Sequence, residues 1–170
     1  MLISEKLEGA LNAQVGREMG ASLQYLAIAT WFDRQSLAQL AAFFYRQSDE
    51  EREHAMKFVH FIIEAGGTVR LPEIQSPRGE FQTAAECAQL SLDWEREVTQ
   101  QIYELVDCAK GDKNYIALRF LDWFVTEQLE EVSLMDRLLS IIQRAGEENL
   151  LQVEDYLGRN DLVARGIPKS

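Results

Sequence analysis

Residues 40–65 read LAAFFYRQSDEEREHAMKFVHFIIEA, and steps of four and three residues taken alternately along them select one face of a helix. That face carries, in order, Leu40, Phe44, Gln47, Glu51, His54, Phe58, Phe61 and Ala65. Both ends of the face are apolar, which is typical of a helix packed into a core, whereas its middle is polar. The stretch therefore predicts a buried helix with polar side chains half-way along its length.

Three other stretches of the chain show a face of the same kind. The first comprises Leu11, Val15, Glu18, Ser22, Tyr25, Ala29 and Phe32. The next comprises Ala84, Ala88, Ser91, Glu95, Val98, Ile102, Leu105 and Ala109. The last comprises Ala117, Leu121, Phe124, Gln128, Glu131, Met135, Leu138 and Ile142. Four helices that each bury one face predict an all-α fold, a four-helix bundle.

Glycines, prolines and short polar runs mark the helix ends, at residues 33–36, 110–112 and 146. Residues 66–82 hold three glycines and two prolines, and 17 extended residues at about 3.3 Å each could run the length of the bundle. We therefore predict one long crossover between helices two and three. A short fifth helix is expected at residues 149–158.

The chain of 170 residues is long enough for one domain, which we expect over residues 1–161, followed by a mobile C-terminal tail at 162–170. Two helix starts carry a suitable cap residue. Ser36 is the predicted cap of helix two, and Thr83, with Glu86 three residues later, forms a predicted capping box at helix three.

The net charge of −11 restricts the expected binding partners, because such a field repels phosphate backbones and anionic lipid and attracts cations. Neither nucleic acid nor a membrane is an expected partner. No run of 18 apolar residues and no basic leader occurs, which favours a cytoplasmic protein. Cys87 and Cys108 lie 21 residues apart in one predicted helix, so about 30 Å should separate them and exclude a disulfide between them.

Polar side chains interrupt every buried face near the middle of the bundle. They are Glu18, Glu51, His54, Glu95, Gln128 and Glu131. An unpaired carboxylate in a core costs several kcal/mol, and several together repel one another unless they are protonated or neutralised by cations. No Lys or Arg occupies any of the four faces, so a bound cation is the simplest compensation.

The spacing of these residues repeats. Glu51 follows Glu18 by 33 residues as Gln128 follows Glu95, and an offset of 77 residues relates the two halves. A Glu from each of two helices, with an i and i+3 pair from each of the others, is the pattern of di-iron and di-manganese carboxylate bundles. Carboxylates with a single imidazole favour iron or manganese, of which iron is the leading candidate, and Glu51 is placed to bridge two ions.

Each residue alone also has an ordinary interpretation. A single glutamate on a buried face is usually a boundary residue that reaches solvent, and a single core histidine is usually hydrogen-bonded rather than a ligand. The coincidence of six positions favours the metal site. Tyr25 and Trp123 are core aromatics by default, and the Tyr25 hydroxyl is equally well suited to contact a ligand carboxylate. His60 lies off the face and receives no role.

At this point the residues resemble a known family. The motifs are NAQVGRE at 12–18 with Tyr25, EEREHAMKF at 50–58, Glu95, and WFVTEQ at 123–128 with Glu130 and Glu131. They resemble those of prokaryotic non-haem ferritins over the chain to about residue 161. The resemblance implies a ferritin-like bundle and a hollow shell of 24 identical subunits that oxidises Fe(II) with O2 or H2O2 and stores a ferric mineral.

The resemblance also implies residue roles. Glu18, Glu51 and His54 are similar to the ligands of a first iron, and Glu95 and Glu131 to those of a second. Gln128 matches a glutamine that lies beside the second iron and contacts either the metal or its oxygen ligand. The implied catalytic set is Glu18, Tyr25, Glu51, His54, Glu95 and Glu131. A third iron position is implied by Glu50, Glu127 and Glu130.

Related bundles fit the sequence less well. Bacterioferritins carry a haem-ligating Met where this chain has Arg52 and a His where it has Glu131, so no haem is expected. The paired C-x-x-C sites of rubrerythrins are missing from the sequence, and mini-ferritins bind iron between subunits. Two other functions stay open: a small di-iron carboxylate oxidase or peroxidase, and a non-catalytic shell subunit that buffers iron.

Overall fold

The computed structural model describes residues 1–160 and Leu162, and within that part of the chain every regular element is helical. The elements are α1 (Glu5–Arg34), α2 (Ala38–Glu64), α3 (Ala84–Gly111), α4 (Tyr115–Ala145), a 3₁₀ turn (Glu147–Asn149) and α5 (Leu150–Arg159). The predicted all-α bundle with one long crossover and a short fifth helix is confirmed. Of the predicted tail at 162–170, all but Leu162 lies outside the described residues.

The helices pack as two hairpins, α1 with α2 and α3 with α4. We call these the first and the second hairpin. Their apolar residues form two separate core clusters. Along α1 one cluster extends to Val15 and the other begins at Ala21, and along α4 the corresponding residues are Phe124 and Leu134. The gap between the clusters is where the polar residues of the buried faces lie.

Residues 65–83 connect the hairpins without helix or strand and lie along α1. Asn12 donates to the Thr68 carbonyl at 3.0 Å and accepts from the Arg70 amide at 2.6 Å. Twelve residues further along α1, Gln24 donates to the carbonyl of Arg78 and accepts from the Arg78 amide, both at 2.9 Å. Between these two clamps a Cβ at Gly16 would lie 2.2 Å from a side-chain carbon of Pro72, so only glycine allows this approach.

The structure corrects one helix cap. Ser36 has φ of 62° in the turn after α1, and the cap of α2 is Leu37, whose side chain makes no hydrogen bond to the helix that begins at Ala38. The carboxylate of Glu154 instead accepts from the amides of Gln39 and Leu40, at 2.7 and 2.9 Å. The prediction for Ser36 is wrong because a distant residue supplies the acceptor.

The start of α3 is capped both by a residue next to it in the sequence and by a distant one. Thr83 accepts from the Glu86 amide at 3.0 Å, which confirms one half of the predicted capping box. The other half is wrong, because the Glu86 carboxylate accepts from the Gln82 amide at 2.7 Å and from Arg78. In addition, the carboxylate of Glu147 accepts from the amides of Ala84 and Ala85, both at 2.9 Å. The segment after α4 therefore supplies a carboxylate to the positive end of α2 and another to that of α3.

Two further properties bear on function. Cys87 and Cys108 are both free thiols on α3, as the spacing predicts. None of the helices among the described residues is long and apolar enough to cross a membrane.

Candidate metal centre

The polar layer between the two core clusters brings together side chains from all four long helices. Its members are Glu18 on α1, Glu51 and His54 on α2, Glu95 on α3, and Gln128 and Glu131 on α4. None of the six is more than 4% exposed. All six positions that sequence periodicity places in the middle of the bundle are therefore buried there.

Two groups of possible ligand atoms share the imidazole of His54. Glu18, Glu51 and His54 each offer one atom within 4.8 Å of the other two, and so do His54, Glu127 and Glu131. His54 Nδ1 lies 3.5 Å from Glu51 Oε2, and His54 Nε2 lies 3.8 Å from Glu127 Oε1. The imidazole therefore stands between carboxylates from its own helix and from α4.

Glu95 is held from two other helices. The Tyr25 hydroxyl, on α1, donates to Glu95 Oε1 through a short hydrogen bond. Gln128 Nε2, on α4, lies 3.2 Å from Glu95 Oε2, from the Glu95 carbonyl and from Thr99 Oγ1. The amide nitrogen of Gln128 thus faces α3, and the hydroxyl of Tyr25 contacts a carboxylate of the layer.

Burial and mutual repulsion govern the charges in this layer. Desolvation raises the pKa of Glu18, Glu51 and Glu131, and for the last two the neighbouring Glu95 raises the pKa further. Desolvation also raises the pKa of Glu95 to about 7, although hydrogen bonds from Tyr25 and Gln128 oppose it. The layer therefore holds protons that a bound cation would displace.

Tyr25 responds to the same surroundings. Its burial, followed by the nearby carboxylates of Glu95 and Glu51, raises the pKa of the phenol well above its usual value. Tyr25 is therefore a neutral hydrogen-bond donor at physiological pH.

Two carboxylate oxygens in the layer lack a partner. Glu18 Oε2 and Glu131 Oε2 are buried and have no hydrogen-bond partner among the residues that the structure describes. Buried polar atoms are almost always hydrogen-bonded, so such atoms call for a specific explanation. Cations bound at these two oxygens, which belong to opposite hairpins, would satisfy that requirement.

Glu50, Glu127 and Glu130, the three carboxylates beside the buried faces, have different surroundings in the structure. Glu127, whose side chain is 12% exposed, contacts the imidazole of His54. Glu50 accepts from Gln47 Nε2 at 2.6 Å, and Glu130 is half-buried. The negative charges of all three raise the pKa of Glu131. Among the described residues, only Glu127 of the three shares a group of possible ligand atoms with the buried layer.

Sequence reasoning missed one residue that contacts the layer, because it lies off the periodic face of α1. Gln14 is completely buried, and its Nε2 donates to Glu18 Oε1 at 2.7 Å. The i, i+4 spacing of the two residues is the signal that could have found it.

The chain matches known proteins over most of its length. Residues 8–145 match the family model described as the ferritin-like domain. Ferritin BfrB of Mycolicibacterium smegmatis is 38% identical over 166 residues, which cover 98% of this chain and 91% of that protein. The bacterial non-heme ferritin of Staphylococcus epidermidis is 36% identical over 165 residues, which cover 96% of this chain and 97% of that protein.

A solved structure gives the same answer. An open pore ferritin from the hyperthermophilic archaeon Archaeoglobus fulgidus superimposes with a TM-score of 0.89 at 32% sequence identity, over 94% of this chain and 99% of that chain. The carboxylate layer between two helical hairpins and these matches together show that the chain belongs to the ferritin family of iron-storage proteins.

Proposed function

We propose that this protein oxidises Fe(II) to Fe(III) at a paired iron site within each subunit and stores the product inside a closed protein shell. The observation that carries the proposal is the buried layer of four glutamates around one histidine, with two carboxylate oxygens that lack a hydrogen-bond partner in the described chain. Oxygen ligands with one imidazole suit iron.

In this proposal Glu18, Glu51 and His54 bind the first iron. The proximity of their ligand atoms, within 4.8 Å of one another, supports this assignment. Glu95 and Glu131 bind the second iron, and Glu51 bridges the two. The effect of Glu95 and Glu18, one from each hairpin, on the pKa of Glu51 supports the bridging role. Gln128, whose amide nitrogen donates to Glu95, orients that carboxylate.

The substrate ions supply the electrons of the reaction. Two Fe(II) give one electron each to O2, which takes up two protons and becomes H2O2; with H2O2 as oxidant, two Fe(II) and two protons yield two waters. The carboxylates of this chain offset the charge of the ions, and the raised pKa of Glu95 lets protons leave as iron binds. The Tyr25 hydroxyl fixes Glu95 throughout.

A third iron position completes the proposed path toward the store. Glu50, Glu127 and Glu130 would hold an ion next to the pair, and the contact of Glu127 with His54 supports a route between the two positions. Storage needs an enclosed volume, so we propose a homo-oligomer of 24 subunits. We assign the reaction to the cytoplasm and expect no haem, since the exposed Arg52 offers no ligand for haem iron.

Rapid mixing tests the catalytic step. Anaerobic protein loaded with two Fe(II) per subunit and mixed with O2 should show a fast diferric absorbance, which Glu51→Ala should abolish. The matched control is Glu53→Ala, an exposed glutamate on the same helix, which should react as the wild type does. A wild type without the fast phase would leave a non-catalytic, iron-buffering shell subunit, and an unchanged rate in Glu51→Ala would refute the assigned site.

Sedimentation tests the assembly. The proposal expects a species of about 24 subunits that retains iron after excess Fe(II) is added in air. A stable monomer or dimer with the fast phase intact would instead indicate a small di-iron oxidase or peroxidase.

A further inference from the structure

Gln14 has an environment unlike that of its neighbours on α1. Its side chain is 0% exposed, and both of its hydrogen-bond partners are charged side chains on the same helix. Gln14 Nε2 donates to Glu18 Oε1 at 2.7 Å, and Gln14 Oε1 accepts from Arg17 Nη1 at 3.2 Å. The amide thus links an exposed guanidinium to a buried carboxylate.

The chemistry of the two partners fixes the direction of this amide. A guanidinium has only donors, and an ionised carboxylate has only acceptors. If the amide were turned over, two donors would face each other at Arg17 whatever the charge of Glu18, and two acceptors would face each other once Glu18 ionises to bind metal. Arg17 therefore holds the nitrogen of Gln14 toward Glu18.

Neither hydrogen bond of Gln14 joins α1 to another helix. Leu11 and Val15, which are equally buried on α1, fill their places with apolar side chains. An apolar side chain at position 14 would avoid the cost of burying an amide, so packing does not account for the glutamine. What the amide provides is a donor for one particular oxygen of Glu18.

That donor distinguishes the two oxygens of the Glu18 carboxylate. Oε1 is occupied by Gln14, whereas Oε2 is buried and accepts from no amide, hydroxyl or cationic group in the described part of the chain. The other hydrogen bond of the Glu18 carboxyl is to Glu51, which is itself a proposed ligand, so a bound cation would replace it. Glu18 also belongs to the group whose ligand atoms lie within 4.8 Å of one another, with Glu51 and His54. One oxygen is thereby reserved for the protein and the other is left for a ligand.

We propose that Gln14 is a positioning residue that keeps Glu18 a monodentate metal ligand, and that Arg17 sets the direction of the Gln14 amide. The inference rests on the proposed function in one respect, namely that Glu18 binds metal. Partners that orient metal ligands typically change metal affinity by about 10- to 100-fold when they are removed.

The second hairpin offers a matched control. Ser91 lies 77 residues after Gln14 and four before Glu95, so it occupies the corresponding place. It is also completely buried, but its hydroxyl donates to the Cys87 carbonyl at 2.9 Å. Ser91→Ala therefore removes a buried polar group at the equivalent position without freeing a carboxylate oxygen.

Titration with Co(II), followed by its visible absorption, tests the inference without any turnover. In Gln14→Met we expect the first Co(II) to bind about tenfold more weakly. Its molar absorptivity should also fall, because a freed Oε1 can add a second bond from Glu18 and raise the coordination number. Arg17→Met, a change at an exposed position, should alter the spectrum in the same direction by a smaller amount. Ser91→Ala should match the wild type in both.

Wild-type affinity and spectrum in both Gln14→Met and Arg17→Met would overturn the inference and leave the proposed function standing. A wild type that binds no Co(II), or a Glu18→Ala variant that binds it as tightly, would overturn the proposed function itself. If circular dichroism shows that Gln14→Met does not fold, Arg17→Met decides alone: a changed spectrum supports the inference, and an unchanged one refutes it.

Discussion

The two hairpins place equivalent residues around one centre but support them differently. In the first hairpin Glu18 is held by Gln14, a residue of its own helix. In the second hairpin the equivalent Glu95 is held by Tyr25 and Gln128, which belong to two other helices. The backbone pattern is repeated, while the hydrogen bonds around it are not.

This difference separates local from long-range support. A carboxylate oriented by its own helix keeps its orientation as that helix moves, so changes to its support should affect metal binding more than folding. A carboxylate oriented by α1 and α4 helps to tie these helices to α3, so changes there should affect both. The two hairpins differ most at the equivalent positions 51 and 128, since one is a glutamate and the other a glutamine.

Substitutions that make positions 51 and 128 identical should have the largest effect on the free energy of unfolding. Gln128→Glu removes the donor to Glu95 and adds a like charge, and we expect it to lower the free energy of unfolding of the metal-free protein by about 3 kcal/mol at pH 7. Glu51→Gln removes a repelled, buried carboxylate and should raise that free energy by about 2 kcal/mol while it abolishes metal pairing. Urea unfolding of both metal-free variants measures the contrast, and equal effects would contradict it.

The pH dependence of metal-free stability should be nearly as large. Because the pKa of Glu95 is raised to about 7 in the folded protein, the folded state binds more protons than the unfolded state between about pH 4.5 and 7. This stabilisation, on the order of a few kcal/mol, is complete below that range and is lost as the pH rises through it.

Urea unfolding at pH 5 and at pH 8 checks the sign. The metal-free wild type should be more stable at pH 5, and Glu95→Gln should flatten the dependence, whereas the exposed control Glu53→Gln should not. Bound Co(II) should reverse the trend, because metal competes with protons for the carboxylates. Higher metal-free stability at pH 8 than at pH 5 would contradict the prediction.

Tyr25→Phe should have a moderate effect. It removes one donor to Glu95 and retains the packing of the ring against Phe44, so we expect a loss of about 1 kcal/mol of stability and a several-fold slower first oxidation phase. The residue at the equivalent position of the second hairpin is Ile102, which has no donor to lose. Thermal melting and rapid mixing measure the two effects, and a loss of stability with an unchanged rate would restrict Tyr25 to a structural role.

Glu130→Ala should have the smallest effect. This half-buried carboxylate raises the pKa of Glu131, so its removal should leave metal-free stability unchanged or slightly increased. The first fast oxidation phase should persist, and only later turnovers should change. Rapid mixing with successive additions of Fe(II) measures both phases, and loss of the first would place Glu130 in the paired site.

Helical periodicity was sufficient to predict the buried layer, because each of its members lies on the same face as apolar neighbours. Glu51, for example, follows Phe44 and precedes Phe58 by seven residues each. The same reasoning could not find the role of Gln14, since that residue lies off the face and its hydrogen bond depends on side-chain conformation.

The helix caps show a second boundary of such reasoning. The cap at Thr83 was predictable, because its partner Glu86 lies three residues away. The cap at Ser36 was predicted by the same rule and is wrong, because Glu154 reaches the start of α2 from 115 residues further along the chain. A local rule identifies a helix start, but tertiary structure decides which acceptor is used.

The carboxylates of Glu147 and Glu154 have a consequence for synthesis on the ribosome. The chain emerges from its N-terminal end, so α2 and α3 are made well before the residues that cap them. Until Glu147 and Glu154 are released, two amides in the first turn of each helix lack their acceptors, and these turns should fray. The segment after Ala145 therefore completes the caps of α2 and α3, and nascent chains that end before it should be the most sensitive to proteases.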